Sequence, residues 1–396
     1  MKKRNIALSR ILKLNLLFLF TSFFTSGTQS MVSQVFFARY YPEQKYALLS
    51  VTLLFGALAT LGGLLAGARI LRLRPHALAV FMSLSIAGFI TLLMARSFSL
   101  YLPAFIVASF SVNLLFNVFD NFFMRVVEMQ AQRLHIKVLL LNQMLGYILS
   151  PLFFSLFFEW TWLCVTVVSA LGFVSYYPAL RLLHKVPVGE GLRVGKSPPL
   201  ERKNRLFLTY ALLVYTGVYI FLAITEYLLR DDYHYENSSL VCAIFLMVVI
   251  LISCVVIAGD KSGDDSIAGG RQMVALSLVA ATAFILMAQL STHPAYLIVP
   301  CVFLGIGHGL FSRMAKQYAN CCEQKTRVIS LFNIFQTLAS LCAYLATLFT
   351  SWSSTHTGLN ANTLNLMFII ATTALAALFF TLFARIRIQE GGEMNP

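Results

Sequence analysis

Residues 109–121 read Ser-Phe-Ser-Val-Asn-Leu-Leu-Phe-Asn-Val-Phe-Asp-Asn. After the basic loop from Arg125 to Lys137, a second apolar run carries Asn142 and Gly146-Tyr-Ile-Leu-Ser150-Pro151 and ends at Phe158. At 100° per residue, Ser109, Asn113, Asn117 and Asp120 fall within about 80° of one another, so a helix otherwise built of Val, Leu and Phe bears one polar stripe. Lipid is a poor neighbour for such a stripe, because a carboxylate at bilayer depth costs about 2.5–3.5 kcal/mol on insertion scales. The stripe predicts a protein interior or a wet cavity between helices.

The rest of the chain fits a bilayer. Hydrophobic residues make up 58% of the sequence and charged residues 12%, outside the balance of a soluble domain. Apolar windows of about 20 residues fall at 14–38, 46–68, 77–95, 100–124, 138–158, 160–183, 206–229, 238–258, 272–290, 295–315, 327–350 and 363–384. The expected fold is an all-α polytopic membrane protein of twelve spans.

The formal charge of +14 is distributed as topology and not as a nucleic-acid footprint. With the N-terminus inside, 26 of the 30 Lys and Arg fall on inner segments, leaving Arg39, Lys45, Arg96 and Arg230 outside. The positive-inside rule then puts both termini in the cytoplasm, in an inner or plasma membrane. The first segment has a basic n-region, but its apolar stretch runs past Thr25 to Ala38 without a convincing small-residue cleavage site, which favours a retained first span over a signal peptide. Seven Cys form no disulfide framework or spaced metal set, and no cofactor or metal is expected.

The longest polar interruption, 184–205, is rich in Gly, Pro and basic residues and reads as a cytoplasmic linker between six spans (1–183) and six (206–396). A shift of 191 residues superimposes span 7 on span 1 and puts Asn333 on Asn142, His308 on Asn117, Lys316 on Arg125 and Arg230 on Arg39. One register serving several spans is the trace of an internal duplication, a known transporter plan with its binding site between the halves.

With these features the chain resembles the major facilitator superfamily over its whole length. The loop Gly63-Leu-Leu-Ala-Gly67-Ala-Arg69-Ile-Leu-Arg72-Leu-Arg74 is similar to the family's Gly-x-x-x-Asp-Arg-x-Gly-Arg signature, with Gly67 at the Asp position and Leu71 at a Gly position; Gly259-Asp260-Lys261-Ser262-Gly263 keeps the Asp-basic-x-Gly core. Gly146-x-x-x-Ser150-Pro151-x-x-Phe154-Ser155 is similar to the motif of the proton-antiporter, exporting branch, with Ser150, Phe154 and Ser155 in place of glycines. An ordinary proline kink is the other reading of that run. The resemblance implies two pseudo-symmetric six-helix bundles, with spans 1, 4, 7 and 10 lining a cavity and spans 5, 8 and 11 flanking it.

Polar stripes lie on those spans. The expected cavity set is Ser26, Gln29 and Ser33 from span 1, Asn113 and Asn117 from span 4, Asn142 from span 5, Tyr215 and Tyr219 from span 7, His308 from span 10, and Asn333, Thr337 and Tyr344 from span 11. Lone Ser and Thr also bond their own i−4 carbonyls, an alternative that stays open. Asp120 is either a proton carrier or half of a gate ion pair with Arg125 or Arg313. Glu226 and Arg39, at the outer ends of spans 7 and 1, form a gate pair or are each solvated at the interface. His308, within an apolar span, is a candidate for proton coupling or for reading substrate. The 34 Phe read mainly as lipid-facing filler, with some of Phe18, Phe23, Phe116 and Phe221 able to offer an apolar wall to a substrate.

No His-Glu-x-x-His, no carboxylate pair within one span and no Ser-His-Asp set at one depth is present, so an enzyme is not expected and no residue is assigned a catalytic role. Gly305-x-Gly307-x-Gly309 lacks a preceding strand and reads as helix packing. The expected function is proton-coupled export of a small polar or amphiphilic organic solute (a drug, metabolite or siderophore-like molecule) by a monomer in the lipid bilayer. Uptake by proton symport is the alternative, and a non-transporting sensor or scaffold the second.

Overall fold

The computed structural model describes residues 15–24, 32–69, 75–126, 132–183, 199–227, 238–259, 294–322 and 324–358, with isolated positions between 276 and 283 and between 363 and 378. Among them all regular structure is helical. The helices are α1 (Asn15–Phe24), α2 (Ser33–Tyr40), α3 (Lys45–Arg69), α4 (Pro75–Met94), α5 (Phe98–Val126), α6 (Gln132–Phe157), α7 (Thr161–Leu183), α8 (Arg202–Tyr227), α9 (Ser238–Gly259), α10 (Ile298–Cys321) and α11 (Lys325–Thr357). Within the described residues seven of these, α3 to α8 and α10, are long and apolar enough to cross a membrane. The first sequence window holds α1 and α2, nine others hold one helix each, the one at 272–290 lies mostly outside the described residues, and half of the one at 363–384 does. This is an integral membrane protein.

Two helices overrun their windows for reasons the residues supply. α11 continues past residue 350 through Ser-Trp-Ser-Ser-Thr-His-Thr and stops at Gly358, whose φ of 70° is left-handed backbone that glycine adopts without a Cβ clash. α10 continues past residue 315 to Cys321 and so carries Lys316 within a helix, where the hydropathy windows had left it in a loop.

The helices up to Leu183 and those from Arg202 onward meet along a seam. α5 packs on α3 and α4, and α4 on α7; α8 packs on α11, α9 on α10, and α10 on α11. Across the seam α3 meets α11 and α6 meets α9, with further contact from α5 to α11 and from α6 to α10. Backbones approach most closely at glycines. A Cβ on Gly67 of α3 would sit 2.8 Å from the Leu114 carbonyl of α5, and one on Gly309 of α10 would sit 2.9 Å from the Ser253 carbonyl of α9. Gly63 and Gly305, one turn earlier, face Phe110 and Val249 carbonyls in the same way. Both are Gly-x-x-x-Gly contacts, which let helices approach where lipid supplies no hydrophobic drive.

The expectation that phenylalanines mainly face lipid is corrected. Fifteen of the described Phe are buried, among them Phe18, Phe24, Phe89, Phe105, Phe154 and Phe207. Lipid tails are as apolar as the protein interior, so van der Waals fit decides which rings go inside. Phe154, standing where the exporter motif has glycine, sits with its ring centroid 5.7 Å from Phe23 and 5.6 Å from Phe89. The outer faces keep Leu, Val and Phe exposed, as on α3 at Phe55, Leu58 and Leu65.

Candidate functional site

The polar stripe of α5 ends in consecutive residues that point about 100° apart, and both reach across the seam. Asp120 Oδ2 accepts from the Lys316 ammonium of α10 at 2.6 Å and from the Asn333 amide of α11 at 2.9 Å. Asn121 donates to Ser330 of α11 at 3.0 Å and to the Asn117 side chain at 2.9 Å. Asp120 is 0% exposed and Lys316 4%. An ion pair withdrawn from solvent in this way survives only with close geometry and added hydrogen bonds, and Asn333 supplies one. The Lys316 nitrogen also lies 6.0 Å from the centroid of the Phe116 ring and 5.9 Å from that of Phe332, within cation–π range of one ring from each side of the seam. The second Asp120 oxygen, Oδ1, has no hydrogen-bond partner among the described residues. A further tie crosses from α6, where Lys137 donates to the Ala258 carbonyl near the end of α9, the helix end at which a cation is favoured.

Away from this knot the seam-side residues become half-buried. Asn117, Asp120, Asn121, Ser330 and Asn333 are buried, whereas Asn113 and Phe116 on α5, His308 on α10, Tyr219 on α8, Gln336 and Thr337 on α11, and Asn142 and Tyr147 on α6 are partly exposed. The His308 ring lies between two hydroxyls, Nδ1 3.2 Å from Ser253 and Nε2 3.5 Å from Ser312. Ser253 has one proton and lies within bonding distance of the Val249 and Gly305 carbonyls. If it donates to either, Nδ1 carries the imidazole proton and Nε2 is the acceptor. Tyr215 packs edge-on against His308, with ring centroids 6.1 Å apart, and stacks on Tyr219 at 6.3 Å.

Several expected roles change. The partner of Asp120 is Lys316; Arg313 lies three residues earlier, about 60° around α10. Arg125 lies in the last turn of α5, but its side chain falls outside the described residues. Asn117 donates to the Leu64 carbonyl of α3 at 2.7 Å and is buried there, so it fastens two helices of one group. Asn113 donates to Thr60 and to its own helix at Ser109. Ser33 is buried and shares a hydrogen bond with Tyr101 among Phe36 and Phe37, away from the seam. Thr337 bonds the Asn333 carbonyl of its own helix. Arg39 faces Glu159 at 3.8 Å with both side chains more than half exposed, a surface pair of little energetic weight. Ser26 and Gln29 lie outside the described residues, as do the side chains of Glu226 and Tyr344.

The sequence carries a signal for Lys316 beyond the polar stripes described above. Cys301, Gly305, His308 and Ser312 share a helix face, and one more step of four along that face reaches Lys316.

A sequence profile of the Major Facilitator Superfamily matches residues 139–344. Among solved structures, the fold is similar to a bacterial homologue of the iron transporter ferroportin in an outward-facing state (TM-score 0.72, 13% identity, 95% of this chain and 99% of that one). It is also similar to the human organic anion transporter MFSD10 (TM-score 0.71, 13% identity, 97% and 100%). An auto-inhibited POT family peptide transporter aligns with a TM-score of 0.63 at 14% identity, over 98% of this chain and 99% of that one. No curated protein sequence matches.

Proposed function

The chain belongs to the Major Facilitator Superfamily, and from that premise we propose a monomeric secondary transporter that rocks two six-helix halves, 1–183 and 206–396, about the seam closed by Asp120. A transporter, and not an enzyme, is what the family and fold support. The observation that carries alternating access is the buried triad of Asp120, Lys316 and Asn333, in which one half holds the carboxylate and the other both of its donors. The charge bias along the sequence puts this end in the cytoplasm, so the arrangement reads as closed inward, and we place the substrate chamber towards the outside, at the half-buried His308 and Tyr219 beside the buried Tyr215. The direction is export coupled to protons, on the resemblance of the Gly146–Ser155 run to the exporter motif.

The three similar structures are described as carriers of iron, organic anions and peptides, so likeness of fold leaves the cargo to the chamber's own side chains. Here these are tyrosines, amides and hydroxyls, which suit a polar or amphiphilic organic solute. A thermal-shift screen of drugs, amino acids, sugars and siderophores identifies the ligand, because binding to the folded form raises its melting temperature.

The seam is tested with Asn121→Cys and Ser330→Cys. Oxidation of the double variant is expected to join the halves and abolish counterflow of the identified solute in proteoliposomes, with recovery on reduction. Each single variant should react with an impermeant maleimide as the seam opens. Full counterflow in the cross-linked protein overturns the proposal.

His308 is the second test. His308→Gln keeps hydrogen bonding and removes the ionisable ring; the expected result is solute flux that no longer responds to an imposed proton gradient. Unchanged coupling assigns that role elsewhere, with Asp120 the remaining buried carboxylate in the described seam.

A further inference from the structure

The Lys316 ammonium sits in a receptor for ammonium. One wall is a fully buried carboxylate, two others are the Phe116 and Phe332 rings at 6.0 and 5.9 Å, and Asn333 orients the carboxylate from 2.9 Å. Carboxylate and aromatic faces together recognise organic cations. Among the described residues, Asp120 Oδ1 remains an unpartnered acceptor in the same buried place. The side chain that fills this receptor belongs to the opposite half of the seam. When the halves part, Asp120 and Phe116 stay on one wall, while Lys316, Phe332 and Asn333 leave with the other.

We propose that the cargo is an organic ammonium compound that takes the place of Lys316 on Asp120 while the seam is open, and that Lys316 returns as a tethered competitor and displaces it as the seam closes. The inference rests on the transporter reading and deepens it by naming the cargo's charge and the device that releases it. Charge is conserved at the carboxylate throughout: an external cation neutralises Asp120 in one state and the chain's own lysine does so in the other. A bare buried carboxylate, which would resist closure, is never left behind. With the Asp120 end cytoplasmic, cargo binds from the cytoplasm and is expelled towards the outward chamber, so the device works in the direction of export.

The test uses n-butylammonium, a solution copy of the lysine side chain, with n-butanol and butyrate as its uncharged and anionic counterparts. Purified full-length Lys316→Ala is expected to gain several degrees in melting temperature with n-butylammonium and to show little response to the other two; adding Asp120→Asn should abolish the gain. A second measurement keeps Lys316 in place, in case its loss prevents folding. In Ser330→Cys, n-butylammonium is expected to accelerate maleimide labelling several-fold by holding the seam open, and butyrate is not.

Equal responses to n-butylammonium and n-butanol overturn the inference, and so does labelling of Ser330→Cys that butyrate alone accelerates, which would make Lys316 an anion site. Labelling that proceeds at one rate with or without the amine, together with an unmoved melting temperature, overturns the amine cargo and leaves the transporter reading standing. That reading falls separately if Ser330→Cys and Asn121→Cys never label.

Discussion

Lys316→Ala is expected to be among the most destabilising single substitutions in this protein, and Lys316→Met paired with Asp120→Asn is expected to restore much of the loss. Removing one partner of a buried ion pair leaves the other charge stranded, at a cost of about 3–5 kcal/mol. Asp120 has no exposure with which to recover hydration, and among the described residues Asn333 alone would be left to bond it. Replacing both partners with uncharged groups of similar size removes the stranded charge, and such replacements are often neutral or stabilising. Thermal unfolding of the two single variants and the double variant measures the coupling directly. Two small and additive losses would show that the pair is solvated in practice, and the closed-seam reading would go with them. The double variant also separates stability from transport. It should fold, yet lack the carboxylate through which the seam is proposed to bind cargo.

The second large effect is steric. Gly146→Val is expected to abolish the yield of folded, monodisperse protein, because a Cβ at that position of α6 would meet the Leu19 carbonyl, the Phe23 nitrogen and the Ser22 Cβ of α1, each at 2.7 Å. Two of those atoms are backbone and cannot rotate aside. Overpacking typically costs about 1–3 kcal/mol even where side chains can adjust, and here a whole helix must move. Gly63→Val on α3, which faces the Phe110 carbonyl, belongs to the same class. Gly259→Ala is the internal control, since a Cβ there meets nothing within 4 Å. Size-exclusion profiles of the three variants decide the matter: a normal profile for Gly146→Val would show that α1 and α6 are not in backbone contact.

These substitutions also show why parts of the site were legible beforehand and parts were not. The α5 stripe was visible because helical periodicity is local: Asn113, Asn117 and Asp120 share a face whatever lies opposite. The neighbour on that face was not visible. Asn117 and Asp120 lie on one stripe, yet Asn117 bonds the Leu64 carbonyl within its own group of helices and Asp120 bonds across the seam. The difference comes from the close approach of α3 at Gly63 and Gly67, which brings a backbone carbonyl within reach of Asn117 and stops short of Asp120. Likewise Ser33 was placed by its stripe in a cavity, but Tyr101 and a cluster of phenylalanines enclose it. Polarity alone does not separate a residue facing water from one satisfied by a buried hydroxyl.

Composition, the spacing of apolar windows, the bias of basic residues and the helical faces followed from the order of amino acids, because each depends on residues a few positions apart or on transfer into lipid one segment at a time. They were enough for an all-helical membrane protein, and the motifs that resemble the family's added the transporter reading. The pairing of Asp120 with Lys316, 196 positions away, and the two rings that enclose the ammonium depended on which helix faces meet. That was decided by glycine contacts and ring volumes summed over the whole bundle. Such a choice exists only once the helices are packed, since in lipid it is the fit between helices, and not the apolarity of any one of them, that distinguishes one neighbour from another.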